Sequence, residues 1–184
     1  MSFDEATLYL HDHFSLAQTP AEIREGVLGV IRTAYTHEIP AKPGAADFLA
    51  ALNAEGIPIA IASSGDDVLI AAALERLHLM PYITKIVTCA DVGTGKQNPD
   101  VYLRAAEYLG TNPAQTFVFE DALYAVRTAN RAGFVTVGVY DLASFPDHYA
   151  LRKECTFYLH DLTDYAKFRQ FAGGIQSSKQ GGKS

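Results

Sequence analysis

The chain has 184 residues, 48% hydrophobic and 20% charged, a composition that fits a soluble globular protein able to bury one sizeable core. Its formal net charge is −6 with no basic stripe, which argues against a nucleic-acid partner held through clustered Lys and Arg. Two distant cysteines, Cys89 and Cys155, give neither a disulfide framework nor a zinc site, and no apolar run suits a signal segment or a membrane span, so a cytoplasmic location is the default.

The first predicted element is a helix from Phe3 to Phe14, with Phe3, Ala6, Leu10 and Phe14 at helical spacing. Thr19 and Pro20 then supply an N-cap and an N1 proline for a second helix, about Pro20 to Thr36, whose apolar set is Ile23, Val27, Val30 and Ile31. Pro40 and the Lys42-Pro43-Gly44 step break the chain. A third helix opens near Pro43, carries Phe48, Leu49 and Leu52, and ends before Gly56.

Beyond Gly56 the rhythm changes to short apolar runs alternating with helices. The runs are Ile57–Ala62, Ile86–Cys89, Thr116–Phe119, Val135–Tyr140 and Thr156–Leu159. Helices fill the intervals at Asp66–Leu77, from Asn98-Pro99 to Gly110, up to Gly133, and around Asp161–Phe171. Nearly uninterrupted apolar strands alternating with helices predict an α/β fold, a Rossmann-like parallel sheet covered on both faces. The final GGIQSSKQGGKS reads as a disordered tail.

In such sheets chemistry gathers beyond the carboxyl ends of the strands, and three of those ends carry suggestive residues. Ser63, followed by Ser64, ends the first run; its hydroxyl suits a phosphate oxygen, or the N-cap of the next helix. Lys96 lies in the glycine-flanked loop Gly93-Thr94-Gly95-Lys96, where it is either a solvated loop residue or a point charge over a phosphoryl group and a carboxylate. Glu120 and Asp121 end an apolar strand. Two adjacent carboxylates at a buried sheet edge repel, and a hard divalent cation resolves that; otherwise Asp121 caps the next helix and Glu120 is exposed.

These residues, in this order, resemble the haloacid dehalogenase-like superfamily, more narrowly its β-phosphoglucomutase-like branch with a helical cap, over about Lys42 to Asp164. Ser63 matches the second motif. Lys96-Gln97-Asn98-Pro99-Asp100 resembles the third, K-P-x-P-D, and Glu120-Asp121-Ala122 through Ala132-Gly133 resembles the fourth. The departures are Gln97 for proline, Ala122 for serine and Ala125 for glycine. The resemblance implies Mg²⁺-dependent hydrolysis of a small phosphorylated metabolite through a phosphoaspartyl intermediate. It assigns Ser63, Ser64 and Lys96 to the phosphoryl group, Ser63 and Lys96 as catalytic residues, and Asp121 with Glu120 to the magnesium. It also implies a partial helical cap at 1–40, an α/β core at 41–172 and the tail at 173–184.

The family's nucleophile is an Asp-x-Asp at the end of the first, central strand, between the strands ending at Ser63 and Glu120. None of the twelve aspartates here has that spacing, and the adjacent His11-Asp12-His13 point in different directions on a helix. The covalent half of the chemistry is therefore expected to be missing from this stretch, leaving two strand edges to be satisfied. The alternatives are a sugar-phosphate mutase and a non-catalytic phosphate- or protein-binding remnant. A nucleotide-binding Rossmann domain ranks below them, since no G-x-G-x-x-G follows a first strand. No feature of the sequence sets an oligomeric state.

Overall fold

The computed structural model describes residues 3–180, with side chains described over 7–175. It opens on two helices, α1 (Phe3–Phe14) and α2 (Pro20–Thr33). Thr19 begins α2 with a reciprocal capping box: the Glu22 N–H donates to its hydroxyl, and the Glu22 carboxylate accepts from the Thr19 N–H. The sequence suggested that α2 continues to Thr36; instead the backbone widens into a π-turn over Ala34–Glu38. That turn packs on α4 (Asp67–Arg76), whose Arg76 donates to the carbonyls of Tyr35 and Ile39, so the helical segment is tied to the rest of the chain.

The remaining elements follow the expected alternation. They are α3 (Ala45–Ala54), β1 (Ala60–Ser63), α4, β2 (Lys85–Thr88), α5 (Cys89–Val92), α6 (Asp100–Tyr108), β3 (Phe117–Glu120), α7 (Leu123–Arg131), β4 (Val135–Val139), α8 (His148–Glu154), β5 (Phe157–Leu159) and α9 (Tyr165–Gln180). The structure is α/β, as the patterning implied. Every strand pairing is parallel, in two groups: β1 with β2, and β3–β4–β5. Among the described residues, β1 and β3 each have a strand partner on one side only.

Helix α6 joins the two sheets. Its Val101, Tyr102, Ala105 and Ala106 share one buried cluster with Val87 of β2, Val118 of β3 and Ala125 of α7, with Ala60 and Ala62 of β1 against it. Ala125, where the resembling motif has glycine, is 0% exposed, so its methyl is part of this packing. A second cluster is aromatic: Phe48 of α3 meets Phe119 of β3 and Phe168 of α9 at ring-centroid distances of 5.6 and 5.3 Å.

The tail differs from expectation. Helix α9 runs past Gly173 to Gln180, so residues 173–180 continue a helix already anchored by the buried Phe168 and Ala172. Once a helix is nucleated by packing, two glycines weaken its extension, by ~1 kcal/mol each, without forbidding it. The last four tail residues, 181–184, lie outside the described residues.

Candidate active site

Lys96 connects the strand ends. It follows β2 and α5 in the chain, yet its ammonium makes an ion pair with Glu120 at the end of β3. The carboxyl ends of the two sheets therefore open on one side. The loop is held by an internal turn and by ties to α6 and α7. The Asn98 N–H donates to the Gly95 carbonyl at 2.9 Å, the Thr94 hydroxyl donates to Asp100 at 2.7 Å, and the Thr128 hydroxyl of α7 donates to the Gln97 carbonyl at 3.3 Å. Asp100, the last residue of the resembling third motif, thus fixes the loop that presents Lys96. Gln97, which replaces its proline, engages α7 through its backbone.

Glu120 is buried, at 7% exposure, which rules out the reading in which it faces solvent. Asp121 does not cap α7 either: the N-cap is Ala122 and no side chain fills that role. Both donors to Glu120 use one oxygen. The Lys96 ammonium and the Tyr102 hydroxyl, the latter at 2.8 Å, converge on Oε1. Tyr102 also lies under Lys96, whose Nζ is 5.6 Å from the ring centroid. Burial first, then the Glu120 charge and hydrogen bond, push the Tyr102 hydroxyl far above the ordinary tyrosine value, so it remains a donor.

Asp121 meets a second lysine. Lys42 Nζ is 3.8 Å from Asp121 Oδ2 and 2.5 Å from Asp141 Oδ2, and it donates to the Tyr140 carbonyl at 3.2 Å. Asp141 lies two residues past the end of β4, and its other oxygen accepts from the Ala143 N–H at 2.9 Å. These bonds, Lys42 first, hold its carboxyl below the usual range. The repulsion expected of two adjacent carboxylates is thus relieved by protein: Lys96 sits on Glu120 and Lys42 beside Asp121.

Ser63 ends β1 opposite Thr88 of β2. Its hydroxyl accepts from the Gly65 N–H at 3.0 Å, closing a tight turn, while Asp66 takes the helix-capping role through the Leu69 N–H. Ser63 is therefore not the N-cap that the sequence allowed. Ser64 Oγ lies 3.5 Å from Cys89 Sγ. On α1, His11 reaches its neighbour Asp12 at 2.7 Å while His13 stacks on Tyr9, so the three do not form one constellation.

Sequence reasoning missed Lys42, Tyr102 and Asp141. Asp141 had a usable signal, a carboxylate directly after an apolar run. Lys42 reads only as part of a Pro-Gly break, and Tyr102 as one more apolar position on α6.

The chain belongs to the haloacid dehalogenase-like hydrolases, a family it matches over residues 3–133, and its parallel α/β fold with a loop lysine on a strand-end carboxylate is in keeping with that. It is similar to Hexitol phosphatase A of Escherichia coli (strain K12), 33% identical over 165 residues that span 89% of this chain and 74% of that protein. It is also similar to Validoxylamine A 7'-phosphate phosphatase of Streptomyces hygroscopicus subsp. limoneus, 34% identical over 121 residues, which are 66% of this chain but only 55% of that one. Among solved structures, β-phosphoglucomutase from Clostridium difficile superposes with a TM-score of 0.72 at 16% identity, covering 96% of this chain and 79% of that chain, a likeness of fold. Among the described residues, no helix is long and apolar enough to cross a membrane.

Proposed function

We propose that this chain carries the phosphoryl- and magnesium-handling part of a phosphatase acting on a small phosphorylated metabolite. The observation that supports it most is the buried Glu120, held on one oxygen by Lys96 and Tyr102 beside the half-exposed Asp121. A buried, fixed charge pair at a sheet edge is a weak route to stability and a good route to preorganised electrostatics.

The donor set fits magnesium. Glu120 and Asp121 are adjacent oxygen donors at the end of β3, and the Asp121 side chain is 38% exposed, so a metal here would take one or both carboxylates and complete its shell with water and phosphate. Magnesium binds in that way. Glu120 and Asp121 would hold it, and when bound it neutralises charge on the phosphoryl oxygens. The chain's own groups do the rest. Lys96 places a cation against the phosphoryl group from a loop tied to α6 and α7 by hydrogen bonds. The Ser63 hydroxyl, whose oxygen accepts from the Gly65 N–H while its proton is free to donate, receives a phosphoryl oxygen, with Ser64 beside it. In the proposed reaction a carboxylate attacks phosphorus, the ester oxygen leaves with a proton, and water then hydrolyses the phosphoaspartate. The attacking aspartate is not among the twelve in this sequence at Asp-x-Asp spacing.

The test is hydrolysis of an aryl phosphate with magnesium, by this chain alone and after an apolar segment ending in Asp-x-Asp is fused to it or co-expressed. The chain alone should give no turnover, and the completed protein should turn over in a way that Lys96→Ala abolishes. Turnover by the chain alone that Lys96→Ala removes would overturn the proposed division of labour. A completed, folded protein without turnover would overturn the phosphatase reading.

A further inference from the structure

Lys42 belongs to none of the motifs that carry the resemblance, yet it is the residue closest to Asp121 in charge terms. Its backbone is fixed. Gly44, two residues on, has φ +79°, and a Cβ there would overlap the Leu162 carbonyl; the Leu162 N–H donates to the Pro43 carbonyl at 3.0 Å. The ammonium has three N–H groups. Two are committed to Asp141 and the Tyr140 carbonyl, and Nζ stands 3.8 Å from Asp121.

We infer that Lys42 is the resident counter-cation of Asp121 and competes with a divalent cation for that carboxylate, so that it sets the metal concentration at which the site loads. The inference rests on reading Asp121 as a metal ligand. A divalent ion bound to Asp121 would lie ~2 Å from the carboxylate oxygen and would repel an ammonium on the same group. Asp141 makes the displacement inexpensive. The ammonium keeps its two hydrogen bonds when it gives up Asp121, so occupancy passes from one cation to the other without stranding a charge. Both side chains are 38% exposed, which keeps the competition moderate.

The experiment is manganous-ion binding to this chain, followed by electron paramagnetic resonance of the free ion, with circular dichroism to check folding. Lys42→Met should tighten binding about three- to tenfold, as expected for one partly screened charge beside a divalent ion, and the gain should shrink with added salt. Asp141→Asn should weaken binding, because it loosens Lys42 toward Asp121. Variants that merely disturb the fold would weaken binding in both cases. If Lys42→Met leaves affinity unchanged or lowers it while Asp121→Asn abolishes binding, the competition is refuted and the metal assignment stands. If neither the native chain nor Lys42→Met binds the ion, or if Asp121→Asn binds it as well as the native chain, both fall.

Discussion

Replacing Lys96 by Met tests how tightly the site is built into the fold. The side chains of Lys96 and Glu120 are 15% and 6% exposed, and Tyr102 is 2% exposed. Breaking a buried pair from one side typically costs ~3–5 kcal/mol, because the remaining charge is stranded. Here the Tyr102 hydroxyl still serves Glu120 and the lysine is not fully buried, so the expected loss is about 2–4 kcal/mol. Adding Glu120→Leu removes the stranded carboxylate but orphans the Tyr102 hydroxyl, at ~1–3 kcal/mol. Adding Tyr102→Phe as well leaves no unpaired group. The triple variant should therefore recover to within about 1–2 kcal/mol of the native chain, although it has lost every polar contact of the trio. Urea unfolding is the assay, read by circular dichroism and tyrosine fluorescence, since the chain has no tryptophan. A Lys96→Met loss below about 1 kcal/mol, with no recovery in the triple variant, would show that Glu120 is solvated and the site is not preorganised.

Three further outcomes follow from local geometry. Asp141 is held below the ordinary carboxylate range by Lys42 and the Ala143 N–H, so its contribution is present above its unfolded value, ~4, and is lost as pH falls through the lower folded value. The stability gap between the native chain and Asp141→Asn should therefore narrow below about pH 4 in acid unfolding. Tyr165 is pushed up to about 12, by burial first and then by its hydrogen bond to Glu55 at 2.8 Å. Its contribution is full below the unfolded value, ~10, and should fade as pH rises toward 12, an alkaline loss that Tyr165→Phe abolishes. Gly44→Ala forces a positive φ on an L residue and a clash with Leu162; thermal melting should show a loss of about 2 kcal/mol or more.

The alternation that defines the fold was legible because each strand is buried and so must be continuously apolar, while each helix must show one apolar face. Boundaries slipped where backbone chemistry intervened. The first run reads as a strand from Ile57, but Pro58 has no N–H, and the ladder begins when the Ile59 carbonyl accepts from Thr84 at 2.7 Å. Helix α8 was invisible because Phe145-Pro146-Asp147 reads as a loop, yet proline sits comfortably in the 3₁₀ turn that precedes it. Ser63, Lys96 and the Glu120-Asp121 pair could be proposed from sequence because each stands at a strand end or in a glycine loop; the structure joins Lys96 to Glu120, while Ser63 contacts its own turn. Lys42 could not be found that way: it reaches Asp141 across nearly a hundred residues, and only the folded chain brings them together.

The pairing of lysines with carboxylates changes how the site is best understood. From sequence, adjacent carboxylates at a sheet edge pointed either to a metal or to Asp121 capping the next helix with Glu120 exposed. In the folded chain Glu120 is already paired with a largely buried ammonium, and Asp121 lies beside a half-exposed ammonium that is already bonded to Asp141. The two carboxylates are therefore unequal. Displacing Lys96 would strand a charge in the core, whereas displacing Lys42 strands nothing. A cation held here would compete with Lys42 at Asp121, whereas Glu120 is already engaged by Lys96 and Tyr102. Metal affinity should accordingly respond strongly to Asp121→Asn and to Lys42. Glu120→Gln should cost stability as well as binding, because it breaks the trio in the core.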